Sequence, residues 1–160
     1  MSEAMETRPG EETAELPPAA DAALYFIGAI RTPWRTRRDC PRRGDMAEGP
    51  VCRVEVAPRW RKALKGLEGR SHAQILYWMH EARRDLVVQT PNHTGKSAGT
   101  FSLRSPNRPN PIASSLVAIV EVLPDALLVR GLDCLDGTPL VDVKPETCPF
   151  DQARPPQADP

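Results

Sequence analysis

Two arginines and an asparagine stand in a proline-rich stretch past the middle of the chain. The stretch holds Arg104, Arg108 and Asn110, and its prolines stand at positions 106, 109 and 111. Each proline restricts its own φ and directs the preceding residue towards extended geometry, so the backbone is stiff and makes few ladder hydrogen bonds of its own. A guanidinium recognises carboxylate or phosphate through paired hydrogen bonds. The stretch predicts either a binding loop for an anionic or polar ligand or an ordinary surface turn with solvated arginines.

A second group of polar residues follows later in the chain. Asp133, Asp136 and Asp142 lie within ten residues, and Gly137-Thr138-Pro139 follows the middle one. This order is typical of a tight turn, because Asp and Gly tolerate the turn dihedrals and Pro ends it. Carboxylates near the end of a strand could also accept hydrogen bonds from ribose hydroxyls or from the amino group of a cofactor. The residues alone leave both interpretations open.

Metal binding is not expected. His72 and His80 are eight residues apart, an even spacing that places both on one face of a strand, but no third ligand stands at a characteristic distance. The cysteines, Cys40, Cys52, Cys134 and Cys148, are scattered rather than spaced as in a zinc site. We interpret the cysteines as reduced thiols and His72 as a core or hydrogen-bonded side chain.

Charge and composition predict one domain between two tails. Residues 1–21 hold six acids and one base, which predicts a disordered acidic tail, and residues 151–160 form a Pro-rich tail. Residues 22–150 carry nineteen Lys and Arg against thirteen Asp and Glu, an excess compatible with a nucleic-acid partner. No signal segment and no run of about eighteen apolar residues is present, so we expect a cytoplasmic protein with no membrane partner.

Hydrophobic patterning predicts a mainly β protein. Four runs predict strands because they are densely apolar, alternate with period two or are rich in β-branched residues: 24–30, 51–57, 115–122 and 126–132. Residues 75–79 are continuously apolar, which favours a strand buried on both faces, while a helix has the same pattern over so short a run. Residues 58–67 predict a short helix. About six short strands with few short helices indicate a small antiparallel β-barrel-like single domain.

The proline-rich stretch also resembles a family signature. Residues 104–112, Arg-Ser-Pro-Asn-Arg-Pro-Asn-Pro-Ile, are similar to the signature of the TsaA-domain (YaeB-like) family, which includes the TrmO-type S-adenosylmethionine-dependent tRNA methyltransferases. Further matches follow in order along the chain: Ile27-Gly28, Pro41-Arg42, Gly66-Leu67-Glu68-Gly69, Ser71-His72, Trp78-Met79-His80, the run from Leu132 to Pro139, and Asp142-Val143-Lys144-Pro145. Several segments that agree in order are far more specific than one short motif.

The resemblance implies a small β-barrel-like fold that is commonly a homodimer, with S-adenosylmethionine as cofactor and tRNA as partner. It implies cofactor contacts from a set of residues spread along the chain: Pro41, Arg42, Arg43, His80, Glu81, Arg104, Leu116, Leu135, Asp136, Gly137 and Thr138. The candidates for the acceptor side are Arg108, Asn110, Asp142 and Lys144, and no catalytic residue is assigned. In TrmO-type relatives the acceptor is the N6 nitrogen of N6-threonylcarbamoyladenosine beside the tRNA anticodon.

Four positions depart from the family pattern. Arg43 and Glu81 stand where the family has glutamine, Arg70 where it usually has phenylalanine, and Glu146 where it often has tyrosine. An arginine in place of the amide still pairs with a cofactor carboxylate but no longer accepts a hydrogen bond. The expected function is methyl transfer from S-adenosylmethionine to threonylcarbamoyladenosine of tRNA, or to another acceptor. The alternative is a non-catalytic regulatory module that binds S-adenosylmethionine or a nucleotide.

Overall fold

The computed structural model describes residues 7–146 of the chain. Its strands are, in chain order, β1 Glu12–Thr13, β2 Gly28–Arg31, β3 Cys52–Val56, β4 His72–Trp78, β5 Leu86–Gln89, β6 Ala98–Gly99, β7 Ile112–Val122, β8 Ala126–Arg130 and β9 Thr138–Pro145. Two 3₁₀ helices occupy Pro58–Leu64 and Thr100–Ser102. Within this range no helix has the length and apolar content needed to cross a bilayer. The predicted tail over residues 151–160 and Cys148 lie outside the described residues.

Six strands close into a barrel in the order β2-β3-β8-β7-β4-β9. The pairings of β3 with β2 and β8, of β7 with β8, and of β9 with β2 and β4 are antiparallel. The barrel strands bury aliphatic side chains and one tyrosine, each at most 2% exposed: Ile30, Val54, Ile75, Tyr77, Val117, Leu127, Val129 and Leu140. Burial of one such aliphatic side chain contributes about 1.5–3 kcal/mol. The predicted fold class, mainly β with a small antiparallel barrel, is confirmed.

Most of the apolar run over residues 75–79, for which the sequence left strand and helix open, lies in strand β4. Its burial alternates, with Ala73, Ile75 and Tyr77 buried and Gln74 exposed. The prediction of a strand is confirmed, but burial on both faces is wrong, because a barrel strand directs alternate side chains to the interior and to the outside. Strand β3 and the hairpin β7–β8 match their predictions.

Two boundaries differ from the sequence expectations, and strands β1, β5, β6 and β9 have no sequence prediction. Strand β2 begins at Gly28 and not at residue 24, and the side chains at positions 24, 25 and 26 are 50%, 77% and 51% exposed. An apolar run therefore predicts too long a strand where some of its side chains lie outside the core. The expected helix over residues 58–67 is the shorter 3₁₀ helix Pro58–Leu64. Strand β9 has no sequence prediction, since its Asp, Lys and Pro residues interrupt the apolar alternation.

The chain divides into two compact units. The first comprises Trp78–Ala113 with the N-terminal segment up to Tyr25, and the second comprises Phe26–Tyr77 with the residues from Ser114 onwards. The second unit contains most of the barrel, and the first contains the three-stranded sheet β1-β5-β6.

Part of the predicted disordered tail over residues 1–21 is paired in the first unit, at residues 8–14, and residues 1–6 lie outside the described residues. Strand β1 pairs antiparallel with β5, and the Ala14 N–H donates to the Asp85 carbonyl oxygen at 2.7 Å. The Thr90 hydroxyl donates to the Pro9 carbonyl oxygen at 3.0 Å. Composition alone predicts disorder here, because the segment has few apolar residues; backbone pairing and polar side-chain bonds order residues 8–14 instead.

Candidate functional site

The proline-rich loop, residues 104–111 of the first unit, is held by side chains rather than by a ladder. The Asn107 side-chain oxygen accepts from the Arg83 backbone N–H at 3.1 Å, and Arg84 Nε donates to the Pro109 carbonyl oxygen at 2.6 Å. Gln89 Nε2 donates to the Asn107 carbonyl oxygen at 2.6 Å. The loop is therefore held by residues that its local sequence does not reveal, since Arg83 and Gln89 lie at least 18 positions from Asn107.

The two arginines of this loop behave differently. Arg108 is half-buried, and its Nη2 donates to the Leu103 carbonyl oxygen at 2.7 Å and lies 3.4 Å from that of Thr100. Arg104 is exposed, and no residue between 7 and 146 forms a hydrogen bond or an ion pair with its guanidinium. Arg108 therefore braces the loop, whereas Arg104 is available to a ligand. Asn110 is exposed, with its side-chain oxygen 3.4 Å from Arg84 Nη2.

The first unit also holds the predicted pair His80 and Glu81. Both are exposed, in a turn that directly follows β4 and is closed by the Ala82 N–H donating to the Met79 carbonyl oxygen at 3.0 Å. His80 and Glu81 thus present their side chains to solvent from a fixed turn.

In the second unit, the predicted residues Leu135, Asp136, Gly137 and Thr138 lie in residues 131–138, here named the aspartate loop. Gly131 and Gly137 have φ of +111° and +80°, a region that favours glycine. The Thr138 hydroxyl donates to the Leu135 carbonyl oxygen at 2.7 Å, and the Gly137 N–H donates to the Ile30 carbonyl oxygen at 2.8 Å. The turn interpretation of this segment is confirmed, and one Asp136 carboxylate oxygen carries only a long bond, from the Thr32 N–H at 3.2 Å.

A second loop, residues 32–50 and here named the arginine loop, is bonded to the aspartate loop at several positions. The Asp136 N–H donates to the Trp34 carbonyl oxygen at 2.7 Å, and the Thr32 hydroxyl donates to that of Cys134 at 2.9 Å. The Gly44 backbone packs so closely that a Cβ there would lie 1.8 Å from the Gly131 carbonyl oxygen. The structure thus brings the predicted segment from Pro41 to Arg43 and the predicted segment from Leu135 to Thr138 onto two joined loops.

Asp133 is held by a partly buried network that sequence reasoning missed. The Tyr77 hydroxyl, on a side chain 2% exposed, donates to Asp133 Oδ1 at 2.8 Å and lies 2.8 Å from the Ser115 hydroxyl, which donates to the same oxygen at 3.1 Å. The Cys40 thiol donates to the Asp133 carbonyl oxygen at 3.1 Å. Burial, and then the Asp133 charge, raise the pKa of Tyr77, and the same two causes raise the pKa of Cys40 to about 11. Both groups therefore keep their protons at neutral pH and act as donors.

The remaining candidate cofactor residues of the second unit include two arginines and one leucine. Arg42 and Arg43 are exposed, and neither guanidinium has a partner in the described part of the chain. Leu116 is 41% exposed on β7, and its carbonyl oxygen would lie 3.1 Å from a Cβ at Gly131. Leu116 therefore borders the aspartate loop through its backbone.

Asp142 and Lys144 form an ion pair with each other on β9, with 2.6 Å between Lys144 Nζ and Asp142 Oδ2. Asp142 lies four residues beyond Thr138, a separation of about 13 Å along a strand. It borders a cavity of about 260 Å³ lined by apolar residues that include Trp60, Leu64 and Leu67, with Lys65 and Arg70 beside them. The structure therefore does not bring this pair to the aspartate loop.

No metal centre is visible in residues 7–146, where no three His, Cys, Asp or Glu side chains are grouped to hold an ion. His72 Nδ1 lies 3.0 Å from the Ser71 hydroxyl, as expected of a hydrogen-bonded histidine. Cys40, Cys52 and Cys134 are free thiols.

Comparison with known proteins finds that the chain is similar to members of one family. Residues 29–152 match the family model described as the tRNA-methyltransferase O N-terminal domain. The "Probable S-adenosyl-L-methionine-binding protein VirR" of Rhizobium radiobacter is 50% identical over 139 residues, which cover 87% of this chain and 79% of that protein. An S-adenosyl-L-methionine-binding protein of Archaeoglobus fulgidus is 38% identical over 121 residues, covering 76% and 86% of the two chains.

Two further relatives are longer proteins. The tRNA (adenine(37)-N6)-methyltransferase of Escherichia coli is 34% identical over 139 residues, which cover 81% of this chain and 59% of that enzyme. The crystal structure of TrmO from Pseudomonas aeruginosa superposes with a TM-score of 0.67 at 30% identity, covering 84% of this chain and 60% of that one. This chain thus spans about three fifths of each of these two proteins.

Proposed function

This chain belongs to the family of the tRNA-methyltransferase O N-terminal domain, and we propose from that premise that it is an S-adenosylmethionine-dependent methyltransferase acting on tRNA. The finer proposal is that the acceptor is N6 of the threonylcarbamoyladenosine beside the anticodon. The observation that carries the proposal is the family match over residues 29–152, together with a relative named for methylation of adenine 37.

Polar groups on the two joined loops match the chemical groups of this cofactor. S-adenosylmethionine carries a carboxylate, a ribose and an adenine, and when bound it supplies a methyl carbon activated by its sulfonium. The exposed, unpaired guanidiniums of Arg42 and Arg43 suit the carboxylate. The Asp136 carboxylate retains acceptor capacity for a ribose hydroxyl, because the Thr32 N–H occupies only one oxygen.

The task of the protein residues is alignment. The two loops are joined by hydrogen bonds of Thr32, Trp34 and Cys40, and Asp133 is fixed by Tyr77 and Ser115, so the loop backbones are held in set positions. Such pre-organisation supplies much of the rate in reactions that need orientation rather than covalent help. His80, Glu81, Arg104 and Leu116 as cofactor residues, and Arg108, Asn110, Asp142 and Lys144 as acceptor-side residues, stay predictions. The homodimer and the cytoplasmic location also stay predictions.

A regulatory module that binds S-adenosylmethionine without transferring its methyl group is the second candidate. Two relatives, at 50% and 38% identity, have names that state binding of this cofactor and no reaction. The departures Arg43, Arg70 and Glu146 from the family pattern also favour keeping this candidate.

Transfer of a labelled methyl group tests the proposal. We expect label from S-adenosylmethionine to enter tRNA that contains threonylcarbamoyladenosine, and mass spectrometry of the digested RNA to find the methylated nucleoside. An unmodified transcript of the same tRNA is the substrate control. Transfer to the unmodified transcript would assign another acceptor, and cofactor binding without transfer to any tRNA would favour the regulatory module.

The cofactor residues are tested with matched double variants. R42Q/R43Q should weaken S-adenosylmethionine binding about tenfold or more, because two charge-assisted contacts are lost. R59Q/K62Q removes the same charge from two exposed side chains of the 3₁₀ helix Pro58–Leu64 and should bind the cofactor as the wild type does. Equal affinities in calorimetry of both variants would remove Arg42 and Arg43 from the site.

A further inference from the structure

The arginine loop concentrates positive charge in a short exposed stretch of the second unit. Between residues 35 and 43 it carries five arginines and one acid, and all five arginines are exposed: Arg35, Arg37, Arg38, Arg42 and Arg43. The acid, Asp39, accepts the Thr36 hydroxyl at 2.6 Å. Apart from Arg37, none of these guanidiniums has a hydrogen-bond or ion-pair partner in residues 7–146.

Arginines on the neighbouring strands of the same unit are paired. Arg31 Nε donates to Glu55 Oε2 at 3.0 Å, and Arg53 Nη2 lies 2.9 Å from both carboxylate oxygens of Asp125. The chain therefore pairs Arg31 and Arg53 on the barrel wall, but it leaves four of the arginines between residues 35 and 43 unpaired within the described residues. Since like charges at such density repel each other, an anionic partner would stabilise this arrangement.

The loop presents these charges from a fixed base. Residues 32, 34 and 40 are hydrogen-bonded to residues 133–136, and Gly44 packs against the Gly131 carbonyl oxygen. Arg35 and Arg38 lie between these anchored positions. The backbone of Arg35 and Arg38 is therefore held near the aspartate loop and has little freedom left to lose on binding.

We propose that Arg35 and Arg38, with Arg37 beside them, bind the sugar-phosphate backbone of the RNA substrate next to the aspartate loop. This inference rests on the proposed function, which supplies an RNA acceptor that must be delivered to that loop. A guanidinium binds phosphate oxygens through two parallel hydrogen bonds, and the contacts carry no sequence information. The arginines thus position the RNA, while the acceptor base is selected elsewhere.

Salt dependence of RNA binding tests this directly, because each phosphate contact releases counterions. Full-length R35Q/R38Q is compared with wild type and with R59Q/K62Q by fluorescence anisotropy of labelled tRNA between about 50 and about 200 mM KCl. We expect R35Q/R38Q to bind tRNA about three- to tenfold more weakly and to lower the magnitude of the slope of log K against log[KCl] by about 1.5. R59Q/K62Q should keep the wild-type slope. Each single variant should show about half of the effect.

Folding and chemistry are measured on the same proteins. R35Q/R38Q should keep the wild-type melting temperature and S-adenosylmethionine affinity, and its methyl transfer should require a higher tRNA concentration for half-maximal rate than that of wild type. A wild type that binds tRNA through these arginines but transfers no methyl group would overturn the proposed function and support the RNA surface.

Three results would overturn the RNA surface. The first is an unchanged slope in R35Q/R38Q while wild type transfers methyl groups, which leaves the proposed function standing. The second is an equal loss of tRNA binding in R59Q/K62Q, which shows a non-specific charge effect. The third is binding of anionic phospholipid vesicles as tight as that of tRNA and equally dependent on Arg35 and Arg38.

Discussion

At the residue scale, two arginines of one proline-rich loop have different roles. Arg108 Nη2 donates a hydrogen bond to the Leu103 carbonyl oxygen at 2.7 Å, whereas Arg104 is exposed and has no partner among the described residues. Both residues are arginines of the same proline-rich loop. The difference arises from the carbonyl groups of residues 100 and 103, which fold back within reach of only one of them.

We predict opposite effects of the two substitutions. Arg108→Gln should lower the free energy of unfolding by about 1–2 kcal/mol, because a hydrogen bond from a charged donor is lost, and should leave cofactor affinity unchanged in the folded fraction. Arg104→Gln should leave the denaturant midpoint unchanged and weaken S-adenosylmethionine binding about tenfold. Denaturant unfolding and calorimetry on both variants separate the two roles. Loss of methyl transfer in Arg108→Gln at wild-type stability would instead assign it to the acceptor side.

At the element scale, the arginine loop and the aspartate loop form one structure through close backbone approach. The Asp136 N–H bond to Trp34 and the Thr32 bonds to Cys134 and Asp136 join them, and Gly44 allows their backbones to touch. Any side chain at position 44 would meet backbone atoms that cannot rotate away. The glycine is therefore required by contact and not by its φ.

Gly44→Ala should separate the two loops. A Cβ at 1.8 Å from the Gly131 carbonyl oxygen forces the backbone apart, so we expect a loss of about 1–3 kcal/mol in stability together with weaker cofactor binding. Gly69→Ala is the matched control, because no heavy atom lies within 4 Å of its Cβ and stability should change little. Melting temperature and calorimetry test both variants. A Gly44→Ala protein with wild-type affinity would mean that the joined loops do not hold the cofactor.

At the scale of the whole chain, the N-terminal segment belongs to the folded structure. The Glu11 side chain is 2% exposed and accepts backbone N–H bonds from Arg8 at 3.0 Å and from Thr90 at 3.3 Å. Burial opposes its ionisation, but these two bonds and the Arg8 charge together lower its pKa below the ordinary 4.5. An ionised Glu11 therefore ties residues 8–11 to Thr90 within the first unit.

Docking of this segment should depend on pH. Because the pKa of Glu11 is lowered on folding, its stabilising contribution is present above the ordinary value of 4.5 and is lost as pH falls through the lower folded value. The protection of the Ala14 and Thr90 amides, measured as hydrogen exchange relative to the intrinsic rate at each pH, should fall in that acidic range. In Glu11→Gln the same amides should exchange fast at neutral pH, whereas Glu12→Gln, on the exposed β1, should behave as wild type. Slow exchange in Glu11→Gln would show that β1 pairing alone holds the segment.

The sequence by itself determined the features that depend on local patterns. Alternation with period two predicts β3 and the hairpin β7–β8, because a barrel wall buries every second side chain. Prolines at 106, 109 and 111 predict a stiff loop, because they restrict φ whatever the surroundings. The ordered motifs from residue 27 to residue 145 indicate the family that the comparisons confirm.

Only the tertiary structure decided how these pieces are joined. Thr32 and Asp136 are 104 positions apart, and Tyr77 and Ser115 are 38 apart, so no local pattern relates them. The same holds for Glu11 and Thr90, 79 positions apart, whose bond orders a segment that composition marks as disordered. Which arginine braces a loop and which stays free depends on carbonyl groups that become neighbours only after folding. Hydrogen bonds act over about 3 Å in space, and sequence spacing does not encode that distance.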